Sequence, residues 1–187
     1  MKLVTNKRQL LGLVGAVALG LTMVGPVMAA DNSGTSATLT GGELSVLSVA
    51  AADFAGADLV LDGAAGTVTA GLTFTIADAR GSGLGWTVTA QASQFDGAVG
   101  TNALAASSLS VTAPTATAVG TSGPAPTVAS GPFVIDTVGA VTVATAAVGD
   151  GMGTYDFASS VMSLSLPADV HADVYSSIVT ITVATTV

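Results

Sequence analysis

Thr75-Ile-Ala-Asp-Ala-Arg-Gly-Ser-Gly-Leu-Gly-Trp86-Thr-Val-Thr-Ala-Gln-Ala-Ser-Gln-Phe95 decides the fold. Up to its glycines, Leu72, Phe74 and Ile76 alternate with Thr73 and Thr75. After them, Trp86, Val88 and Ala90 alternate with Thr87 and Thr89. Successive side chains of an extended chain point to opposite faces, so a period of two marks a half-buried strand. Gly81, Gly83 and Gly85 between the runs suit a hairpin loop, because glycine accepts positive φ. Segments 72–77 and 86–92 are therefore predicted to pair as neighbouring antiparallel strands. The same stretch holds the only Trp and, in Arg80, the only Lys or Arg beyond residue 8.

Outward from there the chain is rich in Ala, Gly, Thr and Val, and short strand-like runs recur between turn signals. Strands are predicted over Thr38–Val49 with a break at Gly41-Gly42, Asp58–Asp62, Leu109–Thr112, Tyr155–Phe157, Val161–Leu166 and Val174–Val183. Phe133–Asp136 and Ala140–Thr145 read as a hairpin around Gly139. Residues 113–131 read as loop, because Pro114, Pro124, Pro126 and several glycines leave little room for a ladder. The best helical candidate is Val46–Ala57, supported only by its alanines. Many short strands with frequent turns predict an all-β sandwich or barrel; the expected form is an antiparallel β-sandwich of Greek-key-like connectivity with Gly-rich loops.

The first thirty residues differ from the rest. Lys2, Lys7 and Arg8 precede an apolar run from Leu10 to Val24, and Val27-Met-Ala29 ends it in small residues. This is the tripartite pattern of a secretory signal, expected to be cleaved after Ala29; an uncleaved membrane anchor is the alternative. Residues 30–187 then suit a single domain with a sizeable core. The end of the chain, Val-Ala-Thr-Thr-Val187, shows no sorting pattern, so attachment to a surface is expected to be non-covalent. There is no Cys, so the exported fold is expected to need no disulfide.

The whole chain carries a formal charge of −8, but three of its four cations lie in the signal. Removing it leaves one cation against twelve acids, a net of −11. No basic patch can then form, which excludes nucleic acid as a partner. It also disfavours attraction to anionic wall polymers, leaving apolar and hydrogen-bonded contacts or bridging divalent cations.

The side chains with chemical potential are few. Trp86 is either a core residue whose N–H meets a backbone carbonyl, which its alternation favours, or a platform for a sugar ring. Arg80 lies two residues from Asp78 and reads as half of a salt bridge that pins the loop; the sharper alternative is a receptor for a ligand carboxylate. The acids are scattered through turns, where Asp usually bonds its own backbone; calcium around Asp150 and Asp156 lacks the loop spacing it requires. His171 stands alone, and no nucleophile, base or zinc set accompanies it. No catalytic residue, cofactor or metal is expected.

Two segments carry a resemblance. Asp78-Ala-Arg80-Gly-Ser-Gly-Leu-Gly-Trp86-Thr-Val88-Thr resembles the first signature of the WxL domain, a cell-surface module of Gram-positive bacteria. That signature is a Gly-rich turn followed by Trp-x-Leu, with Val88 in the place of Leu. The second signature is typically Tyr-x-x-x-Leu-Thr-Trp-x-Leu, and Tyr175-Ser-Ser-Ile-Val179-Thr180-Ile181-Thr-Val183 has its spacing. Tyr175 and Thr180 match, Val179 and Val183 are conservative replacements, and Ile181 stands where the second Trp would be. The resemblance implies a non-catalytic surface protein held non-covalently at the peptidoglycan cell wall or another wall glycan, acting with companion surface proteins or by self-association. It makes Arg80, Trp86 and Tyr175 the candidate wall-binding residues, and it suggests that the strands bearing the two signatures lie close together. The alternative function is a secreted filament or matrix subunit that polymerises by adding a strand to an open sheet edge. A secreted hydrolase is the least supported, because no catalytic constellation is present.

Overall fold

The computed structural model describes residues 36–54 and 61–186, and residues 39–187 cluster as a compact unit. Every regular element among the described residues is a strand: β1 (Leu44–Ala51), β2 (Gly66–Asp78), β3 (Trp86–Ala92), β4 (Asp96–Gly97), β5 (Leu109–Val111), β6 (Thr115–Val119), β7 (Thr127–Val128), β8 (Phe133–Val134), β9 (Val141–Ala146), β10 (Gly153–Leu166), β11 (Tyr175–Ser176) and β12 (Val179–Thr185). All pairings are antiparallel. The larger sheet runs β1-β2-β10-β5-β8, with β6 also paired to β10; the smaller runs β12-β3-β9-β7; β11 and β4 form a two-stranded ribbon. The two sheets share one apolar core and make a β-sandwich. Only β1 and β2 are both consecutive in sequence and paired.

The predicted hairpin of 72–77 with 86–92 is therefore corrected. β2 and β3 are both strands, but they lie in opposite sheets. Both ladder edges of β2 are occupied by β1 and β10, and both edges of β3 by β12 and β9. The Gly-rich link is a crossing between sheets. The second predicted hairpin fails for the same reason. β8 pairs with β5 in the larger sheet, whereas β9 pairs with β3 and β7 in the smaller. The chain crosses at Ile135, which is fully buried; its N–H donates to Leu109 O at 3.2 Å and its carbonyl accepts from Ala92 N at 2.7 Å.

Residues 113–131 are not all loop. β6 lies along β10, between Pro114 and Pro124, and β7 along β9, directly after Pro126. The helical candidate Val46–Ala57 is strand as far as Ala51, and the first strand begins at Leu44. Of the run Asp58–Asp62, residues 58–60 lie outside the described residues, and Leu61 and Asp62 are not in a strand. The last predicted strand is broken into β11 and β12.

β10 joins two runs that had read as separate strands. Tyr155 and Phe157 point into the core at odd positions; Ser160, Met162 and Leu164 do so at even positions. The register against β2 shifts between Phe157 and Ser160, where Ser159 takes φ 62°. One inserted residue flips the facing of everything after it, so the bulge keeps both halves of a strand of two different phases on one core. A similar shift between Val46 and Ser48 in β1 moves the residues opposite the buried positions of β2 from Val46, across from Ile76, to Val49 and Ala51, across from Phe74 and Leu72. Phe74 and Phe157 stack at the centre of the sheet with ring centroids 4.5 Å apart.

The two sheets are unequal in length. β2 has 13 residues and β10 has 14, against seven in β3, six in β9 and seven in β12. The long strands of the larger sheet overhang the smaller one. This mismatch makes the two ends of the sandwich different.

Candidate functional site

At one end, the first signature closes the core. Trp86 is fully buried, and its indole N–H donates to Gly151 O at 2.9 Å. Its ring lies 6.1 Å, centroid to centroid, from that of Tyr155, whose hydroxyl faces the carbonyls of Met152, Gly123 and Pro124 at 2.9 to 3.1 Å. Burial raises the Tyr155 phenol above its ordinary pKa. Gly151 takes φ 73°, and a Cβ there would collide with Ala146 and with the indole itself. The Gly-rich bend thus lies as backbone directly over the tryptophan, a closeness no other residue permits.

Arg80 fastens the same end. Its Nε donates to Asp78 Oδ1 at 2.9 Å and its Nη2 to Asp78 Oδ2 at 2.8 Å, a two-point pair. Nη2 also reaches Leu84 O at 2.7 Å, and Nη1 reaches Thr185 Oγ1 at 2.7 Å. Asp78 ends β2 in the larger sheet and Thr185 ends β12 in the smaller, so one guanidinium ties the two sheets together. The hydrogen bonds from Arg80 hold the buried Asp78 carboxyl below the usual carboxylate range, against the opposing effect of burial. The Arg80 side chain is 15% exposed and its donors are engaged within the fold, which gives it the salt-bridge role read from its spacing.

The signature strands are direct neighbours. β3 pairs with β12 along its whole length, from Trp86 opposite Thr185 to Ala92 opposite Val179, with Ile181 opposite Ala90. Ile181 is buried, while Thr180 and Thr182 are exposed. The position where the second Trp would stand is thus a core position filled by an aliphatic side chain suited to a strand.

The other end is open among the described residues. A cleft of about 760 Å³ lies where the overhanging ends of β2 and β10 pass beyond the smaller sheet. Val49, Ala51, Ala52 and Phe54 from the end of β1 and just beyond it, Val68 of β2, Leu164 and Leu166 of β10, Phe95, and Val179 of β12 supply its apolar lining. Asp53, Asp173, Tyr175 and Ser177 supply its polar groups. Tyr175 is half-buried, and its hydroxyl donates to His171 O at 3.0 Å. Asp173 Oδ2 accepts from Val99 N at 3.1 Å and from Asn102 Nδ2 at 3.0 Å, and its Oδ1 accepts from Val174 N at 2.8 Å. These bonds, that from Asn102 first, lower the Asp173 pKa. The size and the largely apolar lining fit a pre-formed ligand pocket.

The structure therefore separates the three candidate wall-binding residues. Arg80 and Trp86 share the closed end; Tyr175 stands at the cleft. The ends of β3 are six residues apart, roughly 20 Å at the rise of an extended strand. The sequence had not indicated Asp53, Phe54, Phe95 or Asp173 as site residues. They converge only through the strand order, and no local pattern marks them. Among the described residues no group of three or more His, Cys, Asp or Glu is placed to hold a metal ion.

The described residues thus form an all-β sandwich with the first signature packed into one end and a cleft at the other. The model of the WxL domain family, described as surface cell wall-binding, matches residues 26–185, and the chain belongs to that family. It is a protein of the cell-wall surface. No curated protein and no solved structure matches it.

Proposed function

We propose that the chain is a small, exported, non-catalytic surface subunit that holds non-covalently to peptidoglycan or another wall glycan through the Tyr175 cleft. The cleft itself is the observation that carries this. It has a volume of about 760 Å³, a mainly apolar lining with a few polar groups, and Tyr175 and Val179 of the second signature in its wall. Its lining also answers the charge problem. With one cation in residues 30–187, attachment cannot rest on a basic patch, and an apolar lining offers burial in its place. Export through residues 1–29 and assembly with companion surface proteins belong to the same proposal. The test is retention on purified peptidoglycan of the parent and of Ala52→Trp, which fills the cleft from an exposed position. Loss of retention by a variant that melts like the parent supports the cleft; retention equal to the parent's rejects it.

One observation favours the filament reading as a second. β1 is the outermost strand of its sheet and exposes Leu47 at 59% and Val49 at 42%. An apolar unpaired edge is a template for another strand. Concentration-dependent fibres under the electron microscope would support it, and a monomer at all concentrations would reject it.

A further inference from the structure

We infer that the cleft selects an alkylammonium group, an aliphatic stem ending in a primary amine such as a lysine-type side chain carries, presented on a short peptide segment. This rests on the cleft being the wall-binding site and names the chemistry it takes. Val68, Leu164 and Leu166 give the lining aliphatic surface that suits a run of methylenes. The charges that line it are carboxylates, Asp53 and Asp173. The only Lys or Arg beyond residue 8 is Arg80, held at the opposite end by Asp78. An anionic ligand would therefore meet like charge, with no cation to receive it.

The acidic groups are suited to receive an amine. Three hydrogen bonds fix the Asp173 carboxylate in place, so little side-chain entropy is lost when a cation approaches. Oδ1 accepts one of them and a carboxylate oxygen can accept two. Tyr175 adds an aromatic ring to the lining of the same cleft, a surface that attracts an ammonium group. The volume of about 760 Å³ exceeds what one side chain fills and leaves room for the backbone that bears it.

The test uses three capped tripeptides with lysine, norleucine or glutamate between two alanines, titrated into the full chain at low salt and followed by amide chemical shifts. Norleucine keeps the stem and lacks the charge. The expected order is lysine, then norleucine, then glutamate, with lysine ahead of norleucine by roughly three- to five-fold, as an exposed ion pair is worth. Asp53→Asn should narrow the gap between lysine and norleucine. Norleucine or glutamate binding as well as lysine, or no peptide shifting the cleft resonances, overturns the inference. Its failure is separable from that of the wall reading. If Ala52→Trp abolishes wall retention while lysine and norleucine bind alike, the cleft remains the wall site and only the ligand class falls. If Ala52→Trp is retained like the parent, the wall reading falls whatever the peptides do.

Discussion

The indole N–H of Trp86 donates to the carbonyl of Gly151, 65 positions further along the chain, at 2.9 Å and wholly out of water. That bond satisfies the one polar atom of the largest core side chain. Trp86→Ala should therefore act on stability, costing about 3–5 kcal/mol for a large aromatic removed from a core. A urea melt measures it. A peptidoglycan pull-down at low temperature should show the remaining folded protein still retained. A variant that melts like the parent yet no longer binds would instead make Trp86 a ligand contact.

Gly151→Ala attacks the same contact from the other side. Its φ of 73° disfavours any side chain, and the new Cβ meets both Ala146 and the indole. Left-handed backbone costs roughly 1–2 kcal/mol and overpacking about 1–3 kcal/mol more. Thermal melting should fall by several degrees. An unchanged midpoint would mean that the bend is free to move away.

The Asp78–Arg80 pair predicts an acid dependence. The folded-state pKa of Asp78 lies below its unfolded value of about 3.9, so the pair's contribution is fully present above that value. It is lost as pH falls through the folded pKa. Between pH 7 and 5 this carboxyl should contribute no slope to stability; below about 4 it should contribute a decline that Asp78→Asn lacks. Asp78→Asn should itself cost about 1.5–3 kcal/mol at neutral pH, the worth of hydrogen bonds to a charged group. Urea unfolding from pH 2.5 to 7 separates the two statements. Parent and variant curves that run parallel throughout would remove Asp78 as the source.

Ser159 tests the phase change in β10. Ser159→Gly should be tolerated, because glycine accepts the left-handed φ that serine holds under strain. Deleting Ser159 should also leave the fold intact, because without the extra residue Tyr155, Phe157, Ser160, Met162 and Leu164 fall into one unbroken alternation on the core face. Amide dispersion in a proton–nitrogen spectrum is the measure, and loss of dispersion in the deletion would show that the bulge itself is required.

Sequence periodicity told which residues face inward but not which strand lies beside which. Leu72, Phe74, Ile76, Trp86, Val88 and Ala90 all sit in the core, as their alternation required. Yet period two fixes a face and leaves the hydrogen-bonding edges unassigned. Two segments of matched alternation therefore looked like a hairpin when each had other partners on both edges. At Ser159 the same signal broke in two, because a bulge resets the phase without ending the strand. The Asp78–Arg80 pair was legible because its partners are two residues apart. The adjacency of β3 and β12 followed from the recurrence of two signatures. The cleft was not legible beyond Tyr175, since its walls come from strand ends brought together by unequal sheet lengths.

The pairing of Ala90 with Ile181 also sets a timetable. Those residues are 91 positions apart, and β3 gains its outer neighbour only when the last strand of the smaller sheet arrives. Such long separations make loop closure costly before any contact repays it, and folding correspondingly slow. A ribosome-bound or partly threaded chain ending before residue 179 has half of β3's backbone groups unmet. The smaller sheet therefore cannot close strand by strand in the order the chain is made; β3 waits with one edge bare until β12 reaches it.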